Sequence, residues 1–376
     1  MKRICFFVLT LCLLLCSCTA PETNTPPETT APQNEAKELL RGAWVTAFEL
    51  KADAGCTAEE YERRFTDTFT RLKAQDISHV FVQVRPNCDA LYNSAIFPAS
   101  DKLSGKQGKK AAFDALQLLI NAAQACDIKI HAWINPYRVS ATSTDFMDLH
   151  ESNPARIWHE ARNNTNAMQV AGGIYLNPAS TEVQKLIIDG VREIIDNYAV
   201  DGIHIDDYFY PETDETIDKA EYTAYKKDGG QLSLDEFRRQ HVSALVGAIY
   251  RVVKAKSTGL LFTVSPCGDI DKNMNQLYAD VKLWGRCDGY ADYIIPQIYY
   301  GFENQSKPFV ETVEKWRSIC GEKLCVGLAA YKQGKEDSFA GTGRNEWLEN
   351  GDVIERQIAY LNESGVGYCL FSVGYM

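Results

Sequence analysis

The stretch DGIHIDDYFYP, residues 201–211, decides the fold. Ile203 and Ile205 take one parity, and His204 and Asp206 take the other. Successive side chains on a strand point to opposite faces, so a strand over Gly202–Asp206 shows apolar residues to one layer and polar residues to the other. A strand whose polar face runs into acids fits the inside of a parallel barrel, where sites gather at the strands' C-terminal ends. The aromatic run Tyr208, Phe209 and Tyr210, followed by Pro211, then leaves the strand.

Working outward, the same pattern predicts eight short strands: Gly42–Phe48, His79–Arg85, Lys129–Asn135, Gly202–Asp206, Leu260–Ser265, Tyr293–Tyr299, Leu324–Ala330 and Gly367–Phe371. Helical windows lie between them near 57–75, 111–126, 181–198, 234–256, 306–319 and 350–363, with a less clear one at 277–285. Strict alternation of this kind marks an α/β fold with a parallel sheet. Eight steps favour a single (β/α)8 TIM barrel over an open doubly wound sheet, which would need a Gly-rich phosphate turn after an early strand. Two long excursions, 137–180 and 207–233, follow the third and fourth strands as extended loops on the site-bearing face.

Strand parity sorts the candidate site. On the second strand Phe81, Gln83 and Arg85 should face the axis; on the third, His131, Trp133 and Asn135; on the sixth, Ile295, Gln297 and Tyr299. Asp206 is aimed at the axis, where a carboxylate acts as a nucleophile or stabilises an oxocarbenium-like transition state. Asp207 has the opposite parity and belongs at the rim, pairing with a cation or adjusting Asp206. The alternative is that both acids cap the following loop. Glycoside cleavage needs a second carboxyl group, about 5–5.5 Å away for retention or about 6.5–9.5 Å for inversion. Glu303 is favoured, because Phe302 beside it can desolvate it; Asp269, Asp89 and Glu49 are the other candidates, and a solvated loop glutamate is the plain alternative.

Arg85, Asp89, Asn135, Tyr137 and Arg138 read as substrate-holding groups that fork hydrogen bonds to sugar oxygens. Arg85 can instead be a structural partner of Asp206 or Asp89. Gln297 joins this set, and Trp133, Tyr210, Tyr299 and Tyr331 offer rings for sugar faces. His131 and His204 read as hydrogen-bonded core residues. With no HExxH and no acidic cluster at metal spacing, no metal or cofactor is expected.

The N-terminus has its own logic. Lys2 and Arg3 precede an apolar run, Ile4 through Cys16, of signal-peptide length. Leu15-Cys16-Ser17-Cys18 resembles a bacterial lipobox, which would make Cys18 the lipidated N-terminus of an exported, membrane-anchored chain. A plain secretory signal is the alternative. Residues 19–37 are rich in Pro, Thr and Glu and read as a disordered tether, with 38–376 as the catalytic barrel. The formal charge of −11 becomes −13 once Lys2 and Arg3 are removed, so a phosphate-neutralising surface for nucleic acid is not expected. Eight cysteines lie beyond the signal with no CxxC pair; Cys325 and Cys369 fall inside strands as buried thiols. A monomer is expected.

RGAWVTAFE, QVRPNCDALYNSAIFPAS, HAWINPYRV, DGIHIDDYFYP, DYIIPQIYYGF and GLAAYK together resemble the bacterial glycosyl hydrolase-like family ten, over roughly residues 39–376. That resemblance implies a TIM barrel and a glycoside hydrolase and, for some lipoprotein members, action on peptidoglycan strands stripped of stem peptides. The fourth strand is also similar to the chitinase pattern DGxDxDxE, but His204 replaces an Asp and Tyr208 replaces the catalytic Glu. The expected function is therefore hydrolysis of a cell-wall or related polysaccharide by two carboxylates. A non-catalytic glycan-binding lipoprotein is the alternative, favoured if no second carboxyl group stands near Asp206.

Overall fold

A computed structural model of the chain describes residues 39–161, 165–170 and 172–376. The expected signal and tether, with Cys18, lie outside the described residues. No helix among the described residues is long and apolar enough to cross a membrane.

Eight parallel strands form the barrel: β1 Arg41–Val45, β2 His79–Arg85, β3 Lys129–Ile134, β4 Gly202–Ile205, β5 Leu261–Val264, β6 Tyr293–Ile294, β7 Cys325–Leu328 and β8 Gly367–Leu370. Neighbours pair in the order β7-β8-β1-β2-β3-β4-β5-β6. Bridges Ile294↔Leu324 and Gln297↔Gly327 then join β6 to β7 and close the ring. The TIM-barrel expectation holds, and the helices fall close to their windows, for example Ala58–Ala74, Thr181–Asn197, Leu234–Lys256 and Val353–Glu363.

Two cores follow from strand alternation. Val80, Val82, Val84, Ile203 and Ile205 pack outward against the helices in one large cluster. Leu40, Trp44, Phe81, Trp133, Ile295, Cys325 and Cys369 fill the axis. Both cysteines are buried free thiols, as expected. The inward histidines are satisfied within this axis: His204 accepts from Trp44 Nε1 (3.0 Å) and pairs with Thr263 Oγ1 (2.7 Å), and His131 pairs with His79 (2.9 Å). Burial drives the His204 ring down to about 3, so it stays neutral.

The excursion after β3 builds a small antiparallel sheet from Arg138–Ser140, Gly173–Leu176 and Ala167–Val170, with a helix at Pro154–Glu160. The one after β4 is fixed by a buried ion pair. Arg238, on the helix Leu234–Lys256, reaches Asp218 through Nε (2.9 Å) and Nη2 (2.6 Å), and its remaining donors reach Thr213 O, Asp214 O and Tyr278 OH. Tyr210 OH donates to the same Asp218 at 2.9 Å. Arg238 and Asp218 are both fully buried, and removing one partner strands the other charge. Asp218→Ala should therefore cost about 3–5 kcal/mol in urea unfolding. The double variant Asp218→Leu/Arg238→Met should recover most of that loss; equal loss in both would contradict the ion-pair account.

Candidate active site

At the C-terminal ends of the strands, a cavity of about 210 Å³ opens over the axis. It is lined by Asp206, Asp207, Trp133, Arg138, Gln297 and Tyr299, together with Trp44, Thr46, Phe48, Gln83, Tyr208, Ser265 and Phe371. Asp206 is 2 % exposed; its Oδ2 accepts from Trp133 Nε1 at 2.9 Å and its Oδ1 from the Tyr208 backbone N–H at 3.4 Å. Burial, and secondarily the Asp207 carboxylate, push the Asp206 carboxyl up to about 7, while Arg138, Trp133 and the Tyr208 amide pull it down. Asp207 is raised as well, chiefly by burial, against a hydrogen bond from Gln297 that lowers it. Two carboxyl groups sharing one desolvated cavity do not both ionise easily, and the more deeply buried Asp206 retains the proton.

Asp207, half-buried, lines the same cavity, and its carboxylate raises that of Asp206. β4 ends at Ile205, one residue short of the expected Asp206, so both acids lie just past the strand. Arg138, from the excursion after β3, lies over the Tyr208 ring at 4.2 Å and donates from Nε to Pro86 O at 3.2 Å. Gln83 accepts from the Ala47 amide at 2.9 Å and donates to Asn135 Oδ1 at 3.1 Å, which places Asn135 behind the wall. Tyr331 meets Tyr299 edge-on with centroids 5.9 Å apart, so it backs a lining residue without lining the cavity itself.

Five expected residues sit elsewhere: Arg85, Asp89, Tyr137, Tyr210 and Glu303 do not line the cavity. The β2–β3 register shifts between Gln83 and Arg85, and this irregularity turns Arg85 outward, with its guanidinium 4.7 Å from the Phe97 ring. Asp89 is buried against Gln107 in the loop after β2, and burial raises its carboxyl to about 6. Tyr210 belongs to the Arg238–Asp218 cluster, and Tyr137 is packed in the outer core. Glu303 is exposed and does not line the cavity. Its loop is tied down by Glu346, which accepts from the Phe302 and Glu303 amides at 2.9 Å each, and Phe302 packs on Phe309 and under Arg356. Of the other candidates, Asp269 caps the helix Ile270–Asn275 and pairs with Lys307, while Glu49 accepts from Ser372 Oγ and the Gly374 amide at 2.6 Å.

Trp44, Thr46, Phe48, Ser265 and Phe371 were missed, although parity could have found several. Thr46 and Phe48 continue the parity of inward Trp44, and Ser265 continues that of Thr263. Among the described residues no group of three or more metal-ligating side chains converges.

The fold is a closed TIM barrel with two acids just past the end of its fourth strand. The family described as Glycosyl hydrolase-like 10 matches residues 39–339, and the chain belongs to that family. It is 31% identical over 320 residues to "Glycosyl hydrolase YngK" of Bacillus subtilis, covering 78% of this chain and spanning 61% of that relative's length. It is 30% identical over 388 residues to "Glycosyl hydrolase DigH" of Escherichia coli K12, covering 93% of this chain and 86% of that one. In fold, it is similar to the PgaB (BpsB) glycoside hydrolase domain from Bordetella bronchiseptica, with a TM-score of 0.62 at 12% identity over 89% of this chain and 94% of that one.

The site has a stability consequence. An unfolded Asp titrates near about 3.9, and the folded Asp206 near 7. Below both values the group is protonated in either state and costs nothing. As pH rises from 4 to 7 the unfolded chain releases its proton first, so the folded state loses relative stability, and the full cost stands above pH 7. Asp206→Asn escapes this cost. The variant should gain roughly 2–4 kcal/mol over the parent between pH 4 and 7 at about 1.4 kcal/mol per unit, followed by denaturant unfolding at each pH. A difference independent of pH would contradict the raised carboxyl.

Proposed function

We propose that this chain hydrolyses glycosidic bonds in a cell-wall or related polysaccharide, with peptidoglycan glycan strands among the substrates to test. Asp206 is the proton donor to the leaving oxygen, and Asp207 is the ionised partner. The observation carrying this reading is the pair itself: two carboxyl groups in one cavity, one held protonated near neutral pH by burial and by its neighbour. Splitting the behaviour of two carboxyls by environment is how glycosidases run acid and base chemistry together. This reading gives Asp206 the acid's role in place of the nucleophilic or charge-stabilising one expected of it, and gives Asp207 the place expected of Glu303.

The surrounding residues support cleavage of a polymer. At about 210 Å³ the cavity is below the about 300–1,000 Å³ of a pocket that encloses a whole small ligand, so part of a longer chain would enter while the rest lies outside. Phe48, 80% exposed, and Tyr208 present rings at the mouth, and Gln83, Arg138, Ser265 and Gln297 supply polar contacts. Family membership and relatives named as glycosyl hydrolases agree with this reading. Cys18 is proposed as the lipid anchor that displays the barrel outside the cytoplasm on the 19–37 tether.

The test is incubation of the purified chain with stem-peptide-free peptidoglycan, chitin oligomers and plant glucans, with products read by mass spectrometry. One of these substrates should yield cleaved fragments, and Asp206→Asn should lower kcat by about 10²–10⁴, the range for a lost general acid. Since the acid form is active, kcat should fall as pH rises through about 7. Unchanged turnover in Asp206→Asn would refute the assignment.

A further inference from the structure

The loops after β1 and β2 carry a feature that cleavage chemistry does not use. Between residues 51–58 and 103–113 runs an open groove of about 900 Å³. It is lined by Lys51, Lys109 and Lys110, with Asp53 as the only carboxylate lining it. Lys102 and Lys106 stand on the same loop; Lys102 is paired with Asp101 at 2.9 Å. All of Lys51, Lys106, Lys109 and Lys110 are exposed, and none forms an ion pair among the described residues. Arg64 adds charge from the helix behind, donating to Lys51 O at 3.0 Å.

This cluster opposes the rest of the molecule. A chain of formal charge −11 repels a polyanion at long range, so a local concentration of ammonium groups is where such a ligand would be drawn in. The groove and the catalytic cavity share no lining residue, but the loop between them reaches both. The Ala52 amide donates to Lys102 O at 3.1 Å, stitching the two loops together, and Lys102 Nζ lies 5.6 Å from the ring of Phe48, which lines the cavity. An exposed aromatic ring at one end and flexible-stemmed point charges along the other suit a sugar chain with repeated anionic groups.

We infer that this lysine groove binds a carboxylate-bearing glycan strand as it leaves the catalytic cavity. That the ligand is a glycan rests on the cleavage reading; the charge argument does not. Its lysines are loose and solvated, so the binding is electrostatic and must weaken with salt, the Debye length falling from about 10 Å at 0.1 M to about 3 Å at 1 M.

Binding, unlike turnover, can be read without cleavage, so the test uses calorimetric titration of the purified chain carrying Asp206→Asn. The probes are oligogalacturonate, a neutral cello-oligosaccharide of equal length, and inorganic polyphosphate of equal charge. Oligogalacturonate should bind at least tenfold tighter than the neutral chain, and that advantage should collapse at high salt. Lys51→Ala/Lys109→Ala/Lys110→Ala should remove the tenfold preference while melting at the parent's temperature. Equal binding of acidic and neutral chains, or an unaltered preference in the triple variant, would overturn the inference. So would polyphosphate binding tighter than oligogalacturonate, since the groove would then read phosphate. Failure of the cleavage reading would show separately, as no product from any glycan with the parent chain.

Discussion

A carboxyl group held out of water beside a second carboxyl is the constraint on which the site depends. Asp206 has one strong donor, the Trp133 indole N–H, and a longer contact to the Tyr208 amide. That is too little to replace the hydration of a full charge, and Asp207 adds repulsion. The proton therefore stays, and the fold must hold the pair together against its own preference. It does so by building the acids onto a central strand and locking the chain that follows. Arg238 and Asp218, both fully buried, anchor the excursion just beyond the aromatic run, and Tyr210 ties the run to that anchor.

The barrel axis shows the same economy of donors. Trp44, His204 and Thr263 form a chain of hydrogen bonds beneath the cavity, with His204 accepting at Nε2 and therefore protonated at Nδ1. A neutral imidazole with both nitrogens used is a rigid floor, and Trp44 on it lines the cavity above. Rigidity below and loop variation above is the division of labour that lets this barrel carry many chemistries.

Much of this was legible in the sequence, and the failures have physical causes. Alternation in DGIHID located β4 and aimed Asp206 correctly, and the same rule brought Gln297 and Tyr299 to the cavity. It failed at Arg85 because a register shift turns the end of β2. It failed at Glu303 for a nonlocal reason: Glu346, 43 residues further on, captures that loop's amides, and nothing near Glu303 announces it. The lysines of 102–110 were visible in the sequence, but the nearness of Lys102 to Phe48 depends on two loops meeting in space.

The central claim is that Asp206 holds a proton at neutral pH because burial and Asp207 raise it. Carbon-13 NMR of aspartate-labelled protein, titrated from pH 3 to 9, reads this directly. The account predicts one side-chain carboxyl titrating near 7 that is missing from the spectrum of Asp206→Asn. If every resonance lost in that variant titrates in the ordinary range near about 4, Asp206 is ionised at neutral pH and the account is wrong.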